Sequence, residues 1–89
     1  MIHFTKIRKE ERHMSEKIKK ILEEIRPEFN FAESEDFIED GYLDSFDMVT
    51  LIASLEENFD VIIDGIDIVP ENFDSVDSII KLLQKSGVK

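Results

Sequence analysis

The chain has 89 residues, enough for one small domain, and contains no cysteine, so disulfides and thiolate metal sites are excluded. Its 21 acidic and 11 basic residues give a net charge of −10, which would repel nucleic acid phosphates and anionic lipids; we expect neither as a partner. No apolar run is long enough to span a membrane and the N-terminus has no secretory signal, so we expect a cytoplasmic protein without membrane insertion.

Residues 1–13 differ from the rest of the chain in charge. They hold four basic and two acidic residues, a net +2, which leaves −12 on residues 14–89. The pair His13 and Met14 is typical of a cloning junction. We therefore predict a cloning leader or a flexible extension over residues 1–13 and the folded domain over residues 14–89. The alternative is a native extension that lengthens the first helix.

The first predicted helix starts after Ser15, whose hydroxyl suits an N-cap, and ends near Pro27. Apolar residues at helical spacing predict one buried face. They are Ile18, Ile21, Leu22 and Ile25. A long connection follows over residues 30–43, and we expect its apolar side chains to pin it across the end of a helical bundle. These are Phe31, Phe37, Ile38 and Leu43.

Residues 36–47 partly match a calcium-binding EF-hand loop. Asp36, Asp40, Gly41 and Asp47 fall on its first, fifth, sixth and twelfth positions. The third position, however, is Ile38, which offers no side-chain oxygen, and the twelfth is not the bidentate glutamate. We therefore predict no metal site and interpret Gly41 as a turn residue.

The most informative segment is the start of the second predicted helix, at residues 44–47. Asp44 suits an N-cap, and Asp47 three residues later can bond back toward it, which is the spacing of a capping box. Ser45 is then the first helical residue. Its hydroxyl is expected to face outward at the positive end of the helix, where a phosphate would meet unsatisfied N–H groups and a favourable dipole.

The second helix shows two apolar faces where a surface helix normally shows one. The wider face is predicted to pack on the core. It contains Met48, Leu51, Ile52, Leu55 and Phe59. A second, narrower strip lies roughly opposite and close to Ser45, and acidic residues around it predict a docking surface for basic partners. The predicted partner-binding residues are Phe46, Asp47, Val49, Ala53, Glu56, Glu57 and Asp60.

The remaining residues predict a connector and a last helix. Residues 61–63 are β-branched, but a single strand has no pairing partner in a helical chain, so we predict an extended, buried connector. Short helical turns are predicted over residues 65–68 and 70–73. Asp74, with Asp77 three residues later, is predicted to cap the last helix, and Gly87 to end it. Its predicted core residues are Val76, Ile79, Ile80 and Leu83. The predicted fold is all-α, a bundle of three long helices and one short helix with a long first loop.

Catalysis is not expected of this chain. Ser45 has no histidine near it in the sequence, because His3 and His13 lie in the suspected leader. The acidic residues are spread over helix faces expected to be exposed, which does not favour a carboxylate pair in a cleft. We therefore predict that the protein is not an enzyme.

The segment of Asp44, Ser45 and Phe46, the LEENFD run at residues 55–60 and the short acidic helical chain around them resemble the acyl carrier protein family, over roughly residues 15–85. The resemblance implies a stand-alone, monomeric carrier with phosphopantetheine on Ser45, attached from coenzyme A by a magnesium-dependent phosphopantetheinyl transferase. The arm would hold an acyl or aminoacyl cargo as a thioester. Further implied partners are a loading ligase and downstream acyl-transferring enzymes. Asp44 and Asp47 would flank an incoming phosphate, which accounts for the need for a cation.

Three departures from fatty acid carriers leave the pathway open. Phe46 replaces the usual leucine, Thr50 stands where an acidic residue is common, and residues 65–73 are longer and less acidic. Fatty acid, polyketide or peptide, and D-alanyl-type pathways remain as expectations. The alternative function is a small acidic protein-interaction domain without a prosthetic group, in which Phe46 docks a basic partner.

An apolar cargo has one predicted shelter, between the second helix and the connector. The residues that would line it are Leu51, Leu55, Ile66 or Ile80. A purely structural role in the core is the alternative for each of them.

Overall fold

A computed structural model describes residues 9–88 of the chain. Its three α-helices are α1 at Lys9–Ile25, α2 at Ser45–Phe59 and α3 at Val76–Lys85. Single 3-10 turns lie at Phe31–Glu33, Gly65–Asp67 and Pro70–Asn72. No strand occurs within residues 9–88, so the predicted all-α class is confirmed. Residues 61–64 form an extended connector, and the two turns that follow it lie where short helical turns were predicted.

Helix α1 runs antiparallel to α2. Lys17 Nζ donates to the carbonyl oxygen of Asn58, near the end of α2, at 3.2 Å. At the other end, Arg26 follows α1 directly and contacts Asp44 and Asp47 at the start of α2. Helix α1 also packs against α3 and so lies between the other two helices. None of the helices found in residues 9–88 combines the length and apolar character needed to cross a membrane.

One hydrophobic core joins the three helices and both connections. Most of the residues predicted for the helix stripes are buried or half-buried in it, and the fully buried ones are Ile18, Leu22, Leu51, Leu55, Ile79 and Leu83. The first connection contributes buried residues as predicted, namely Phe31, Phe37 and Leu43. The predicted stripes missed three buried residues, which are Met14, Phe73 and Leu82.

An aromatic cluster fastens the connection between α1 and α2. The rings of Phe29 and Tyr42 stack with centroids 4.4 Å apart. Phe31 meets Phe37 and Tyr42 edge to face, at 5.0 and 5.4 Å. Pairs of this geometry contribute about 0.5–1.5 kcal/mol each beyond the burial of their surface. The cluster therefore ties the two ends of residues 29–42 to each other, and the turn at Phe31–Glu33 packs on α1.

The predicted start of the first helix at Ser15 is wrong. Helix α1 already includes Lys9, so Ser15 lies inside it. The residues before Ser15 include no glycine or proline, and buried Met14 extends the apolar stripe by one turn toward the N-terminus, so nothing stops the helix there. The interpretation of residues 1–13 as a leader or extension stays a prediction: residues 1–8 lie outside the described part, and residues 9–13 are helical.

The predicted cap of the last helix is also wrong, by one residue. Ser75 is the N-cap of α3, and its Oγ accepts a hydrogen bond from the Ser78 backbone N–H at 3.1 Å. Asp74 instead accepts from the Ser78 hydroxyl at 2.6 Å, while its carbonyl oxygen accepts from the Phe37 N–H at 2.8 Å. Both residue types cap helices well. The Asp74 carbonyl oxygen is bonded to Phe37, whereas the Ser75 carbonyl oxygen accepts the Ile79 N–H at 3.1 Å, as an N-cap does.

Two glycines adopt the positive φ that their turns require, at +77° for Gly41 and +118° for Gly87. Gly41 lies four residues before Ser45, the first residue of α2, and Gly87 follows the last turn of α3. Both positions agree with the turn and helix-end roles predicted for them.

Candidate functional site

The candidate site is the start of α2, where a complete capping box forms. Asp44 is the N-cap, and its Oδ1 accepts the Asp47 backbone N–H at 2.8 Å. In return, Asp47 Oδ2 accepts the Asp44 backbone N–H at 3.1 Å. The predicted capping box is confirmed, and it fixes Ser45 as the first residue of α2.

Ser45 stands apart from the other serines of the chain. Of the seven serines, all within residues 9–88, Ser45 alone is exposed and the other six are half-buried. The hydroxyls of Ser34, Ser78 and Ser86 donate to Asp40, Asp74 and the Leu82 carbonyl oxygen, respectively. Within the described part of the chain the Ser45 hydroxyl has no hydrogen-bond partner. It is therefore open to reaction from solvent.

Arg26 is part of this site, and the sequence reasoning missed it. Its Nε donates to Asp47 Oδ2 at 2.8 Å, its Nη2 to Asp44 Oδ2 at 3.3 Å, and its Nη1 to Glu28 Oε2 at 3.0 Å. One guanidinium thus contacts both carboxylates of the capping box. Only 14% of the Asp47 side chain remains exposed beneath it.

Charge and hydrogen bonding at the site keep these groups ionised. The backbone N–H of Asp47 lowers the pKa of Asp44, with a smaller contribution from the Arg26 charge. The Glu28 pKa is lowered by its own backbone N–H and then by Arg26. The hydrogen bond to Asp47, followed by that to Glu28, raises the pKa of Arg26. The ion pairs therefore persist at neutral pH.

A pattern in the sequence could have revealed Arg26. It is the only lysine or arginine between Lys20 and Lys81. Eighteen of the 21 acidic residues lie in that interval, since the other three are Glu10, Glu11 and Glu16. A single positive charge in such a long acidic stretch marks a position where charge compensation is needed.

The narrow strip of α2 is exposed, as expected. Phe46 and Val49 are 82% and 67% exposed, and Ala53 and Glu57 lie on the same exposed face. Phe46 and Val49 are large apolar side chains that the described part of the chain leaves uncovered. These four residues form the α2 strip, which begins one residue after Ser45.

Of the three other predicted partner-binding residues, two have side-chain contacts within the fold. Asp47 is engaged with the cap and Arg26. Glu56 is half-buried, and its Oε2 accepts the Ile63 N–H at 2.9 Å, which fastens the connector to α2. Asp60 is exposed and ends α2 with a φ of +55° in the left-handed region. Only Asp60 of these three presents a carboxylate without such a contact.

The prediction that the connector is buried is wrong at Ile62, and exposed apolar side chains continue along the turn that follows it. Ile62 and Ile66 are 85% and 81% exposed, and Ile68 is partly exposed. The expected lining role of Ile66 is therefore wrong, because it lies in solvent while Leu51 and Leu55 are fully buried. The turn at Gly65–Asp67 has only three residues and its own N-cap, Asp64. A turn of this length has no continuous apolar face to pack on the core, as a longer amphipathic helix has, so Ile66 points into solvent.

An ion pair anchors the exposed connector to α3. Lys85 Nζ lies 2.7 Å from Asp67 Oδ1, and this pair raises the pKa of Lys85. Asn72 adds a bond from its side-chain amide to the Asp67 carbonyl oxygen at 2.8 Å. The connector is thus bonded to α2 through Glu56 and to α3 through Lys85.

Residues 9–88 contain no group of three or more histidine, cysteine or acidic side chains arranged to hold a metal ion. Comparisons of the chain with protein-family models, curated proteins and solved structures give no match. The fold and the site by themselves define a small, acidic, all-α protein. At the start of α2 it presents a serine hydroxyl that no group within residues 9–88 binds.

Proposed function

We propose that this protein is a carrier that holds an acyl or aminoacyl group on a phosphopantetheine arm attached to Ser45. The observation that carries the proposal is the position of that serine. It is the one exposed serine, its hydroxyl is unbonded within the described residues, and it is the first residue of a capped helix. The family resemblance of residues 44–46 and 55–60 supplies the chemical identity of the arm.

The residues around Ser45 fit a phosphodiester. A helix start offers a favourable dipole for an anion, and the exposed hydroxyl lets the arm extend into solvent without moving the core. The capping carboxylates repel a phosphate, but Arg26 offsets part of their charge and magnesium supplied with the transferase offsets more. When attached, the arm supplies a terminal thiol that carries the cargo as a thioester.

Attachment of the phosphopantetheine arm requires only an accessible hydroxyl from this chain. The Ser45 Oγ forms a bond to the phosphorus next to the pantetheine of coenzyme A, and the pyrophosphate bond breaks. The nucleotide part leaves with the bridging oxygen, while the hydroxyl proton passes to a base of the transferase. The chain contributes an accessible nucleophile on a rigid helix and no catalytic group of its own.

The fold proposed for the carrier is the acyl-carrier-like bundle. Three observations support this proposal. Helices α1 and α2 are antiparallel, a long connection over residues 26–44 joins them, and α3 packs against α1. The two 3-10 turns at Gly65–Asp67 and Pro70–Asn72 would take the place of the short helix. We place the protein in the cytoplasm, where coenzyme A is available, as a monomer.

The α2 strip is the surface proposed for enzymes that handle the cargo. Phe46 offers an apolar anchor beside Ser45, and the acidic side chains of Glu57 and Asp60 suit a basic rim on a partner. The proposed partners are the transferase, a loading ligase and the acyl-transferring enzymes that follow. The departures at Phe46 and Thr50 leave fatty acid, polyketide or peptide, and D-alanyl-type cargo as alternatives.

A second candidate function is a docking domain without a prosthetic group. It is favoured by the exposed apolar residues of α2 and the connector, above all Phe46, Ile62 and Ile66. In that case Ser45 would be only a helix residue. The two functions differ in whether Ser45 is modified.

Intact mass measurement separates the two candidates. The purified protein is incubated with coenzyme A, magnesium and a broad-specificity phosphopantetheinyl transferase, alongside the variants Ser45→Ala and Ser54→Ala. Ser54 lies on the same helix and is half-buried, so its substitution is a matched control. We expect one phosphopantetheinyl group on the wild type and Ser54→Ala and none on Ser45→Ala. No gain by the folded wild type with several transferases would favour the docking domain.

A further inference from the structure

We infer that Arg26 is the positioning residue of the Ser45 site, holding the start of α2 in place and offsetting the negative charge beside the serine. This inference rests on the proposed function, because positioning matters only if Ser45 is modified. It concerns a residue that lies outside α2 and is separated from Asp47 by 21 positions along the chain.

Arg26 shares a hydrogen-bond network with the capping box. Asp47 Oδ2 accepts both the Asp44 backbone N–H, at 3.1 Å, and Arg26 Nε, at 2.8 Å. The capping box and the ion pair therefore use the same oxygen. Any movement of the guanidinium changes the group that closes the first turn of α2. Because Ser45 lies between the two capping residues, its backbone is held by this network.

Neighbouring side chains hold the Arg26 guanidinium in place. Its guanidinium lies over the ring of Phe29, with a distance of 5.9 Å to the centroid, and Phe29 stacks on Tyr42 at 4.4 Å. Glu28 binds the third side of the guanidinium at 3.0 Å. A side chain with contacts to a ring and three carboxylates keeps one orientation more readily than an isolated surface arginine.

Arg26 is the one positive charge in a strongly acidic part of the sequence. Three carboxylates surround the guanidinium, and no other lysine or arginine occurs between Lys20 and Lys81. Coenzyme A, the donor of the arm, is an anion. Without Arg26, its phosphates would approach Ser45 against the uncompensated charges of Asp44 and Asp47. The guanidinium therefore reduces the repulsion that coenzyme A meets near Ser45, and it also stabilises the start of α2.

The test compares Arg26→Gln with Arg12→Gln in the transferase assay. Arg12 is exposed on α1, and no contact joins it to the cap within the described residues, so its substitution makes the same change in net charge elsewhere. We expect kcat/KM for modification to fall about tenfold in Arg26→Gln and by less than about twofold in Arg12→Gln. Arg26→Lys keeps the charge without the fork of donors and should lie between wild type and Arg26→Gln.

Amide hydrogen exchange supplies a readout that does not depend on activity. In Arg26→Gln we expect faster exchange at Asp47 and Met48, with unchanged exchange at Ile79 and Leu83 in α3. Equal rates of modification in wild type and Arg26→Gln would overturn the inference, as would equal losses in both glutamine variants. Uniformly faster exchange would indicate a general structural role and also overturn it. A folded wild type that accepts no arm overturns the proposed function itself, so the two failures are distinguishable.

Discussion

Ser45 and Ser75 both stand at the start of a helix, but their hydroxyls have different roles. Ser75 is an N-cap, and its Oγ accepts the Ser78 N–H, so the hydroxyl satisfies a backbone donor of α3. At α2 the cap is Asp44, one residue earlier, and the Ser45 hydroxyl is left without a structural bond in the described chain. The residue assigned to chemistry is therefore one that the fold does not require.

Alanine substitution of each serine tests this difference. Ser45→Ala should change the free energy of unfolding by only a few tenths of a kcal/mol, because alanine is a good helix former and no bond is lost. Ser75→Ala should cost about 1 kcal/mol, the usual value of a serine cap. Urea denaturation followed by circular dichroism measures both. A loss at Ser45 as large as that at Ser75 would give the Ser45 hydroxyl a structural role.

The pH dependence of the site follows from the direction of the Asp44 shift. Its pKa is lowered below the ordinary value of 3.8, mainly by the Asp47 N–H and less by Arg26. A group whose pKa is lower in the folded state stabilises the fold above its unfolded pKa, and this contribution is lost as the pH falls through the folded pKa. The Asp44 contribution is thus complete at neutral pH and declines below about pH 4.

Carbon-detected NMR titration of the Asp44 carboxylate checks this account. We expect a midpoint below 3.8 in the wild type. In Arg26→Gln the midpoint should rise but stay below that value, because the bond from Asp47 remains and only the smaller cause is removed. A midpoint at or above the ordinary value in the wild type would contradict the capping geometry.

At the scale of the element, α2 contributes one face to the core and another to the protein surface. Leu51 and Leu55 are fully buried on one side, while Phe46 and Val49 are largely exposed on the other. Glu56, between the two sides, holds the connector through the Ile63 N–H. Because the core side holds the helix in place, we expect substitutions on the exposed side to leave the fold intact.

Two alanine substitutions in α2 test whether one face of the helix is buried and the other exposed. Leu51→Ala should cost about 2–5 kcal/mol, because it leaves a cavity in the core. Val49→Ala should stay within about 0.5 kcal/mol, as expected of an exposed position. Chemical denaturation of the two variants under the same conditions gives both values. A large loss in Val49→Ala would show that the α2 strip is covered in the folded protein.

At the scale of the whole molecule, local sequence patterns predicted the parts that depend on local physics. The stripes through Ile18, Leu51 and Ile79 follow helical spacing, and the capping box of Asp44 and Asp47 follows from two residue types three positions apart. These features involve residues close in the chain. The apolar stripes predicted the all-α class, and the capping box predicted the position of Ser45 as the first residue of α2.

The features that sequence reasoning missed depend on distant contacts. The ion pairs of Arg26 with Asp44 and Asp47 join residues 18 and 21 positions apart. At the start of α3, the bond from Phe37 to the Asp74 carbonyl oxygen also joins distant residues. The exposure of Ile66 depends on how the connector lies between α2 and α3, anchored by Lys85 and Asp67. Helical periodicity contains none of this information. For Arg26 the composition marks the position, as the one basic residue between Lys20 and Lys81, but not its partners.

The measurement that tests the central claim most directly is the location of the arm on the chain. The protein is co-expressed with a phosphopantetheinyl transferase, purified and digested, and the peptides are sequenced by mass spectrometry. The account predicts the phosphopantetheinyl group on Ser45 and on none of the other six serines. An arm on another serine, or a folded chain without any arm, would contradict it.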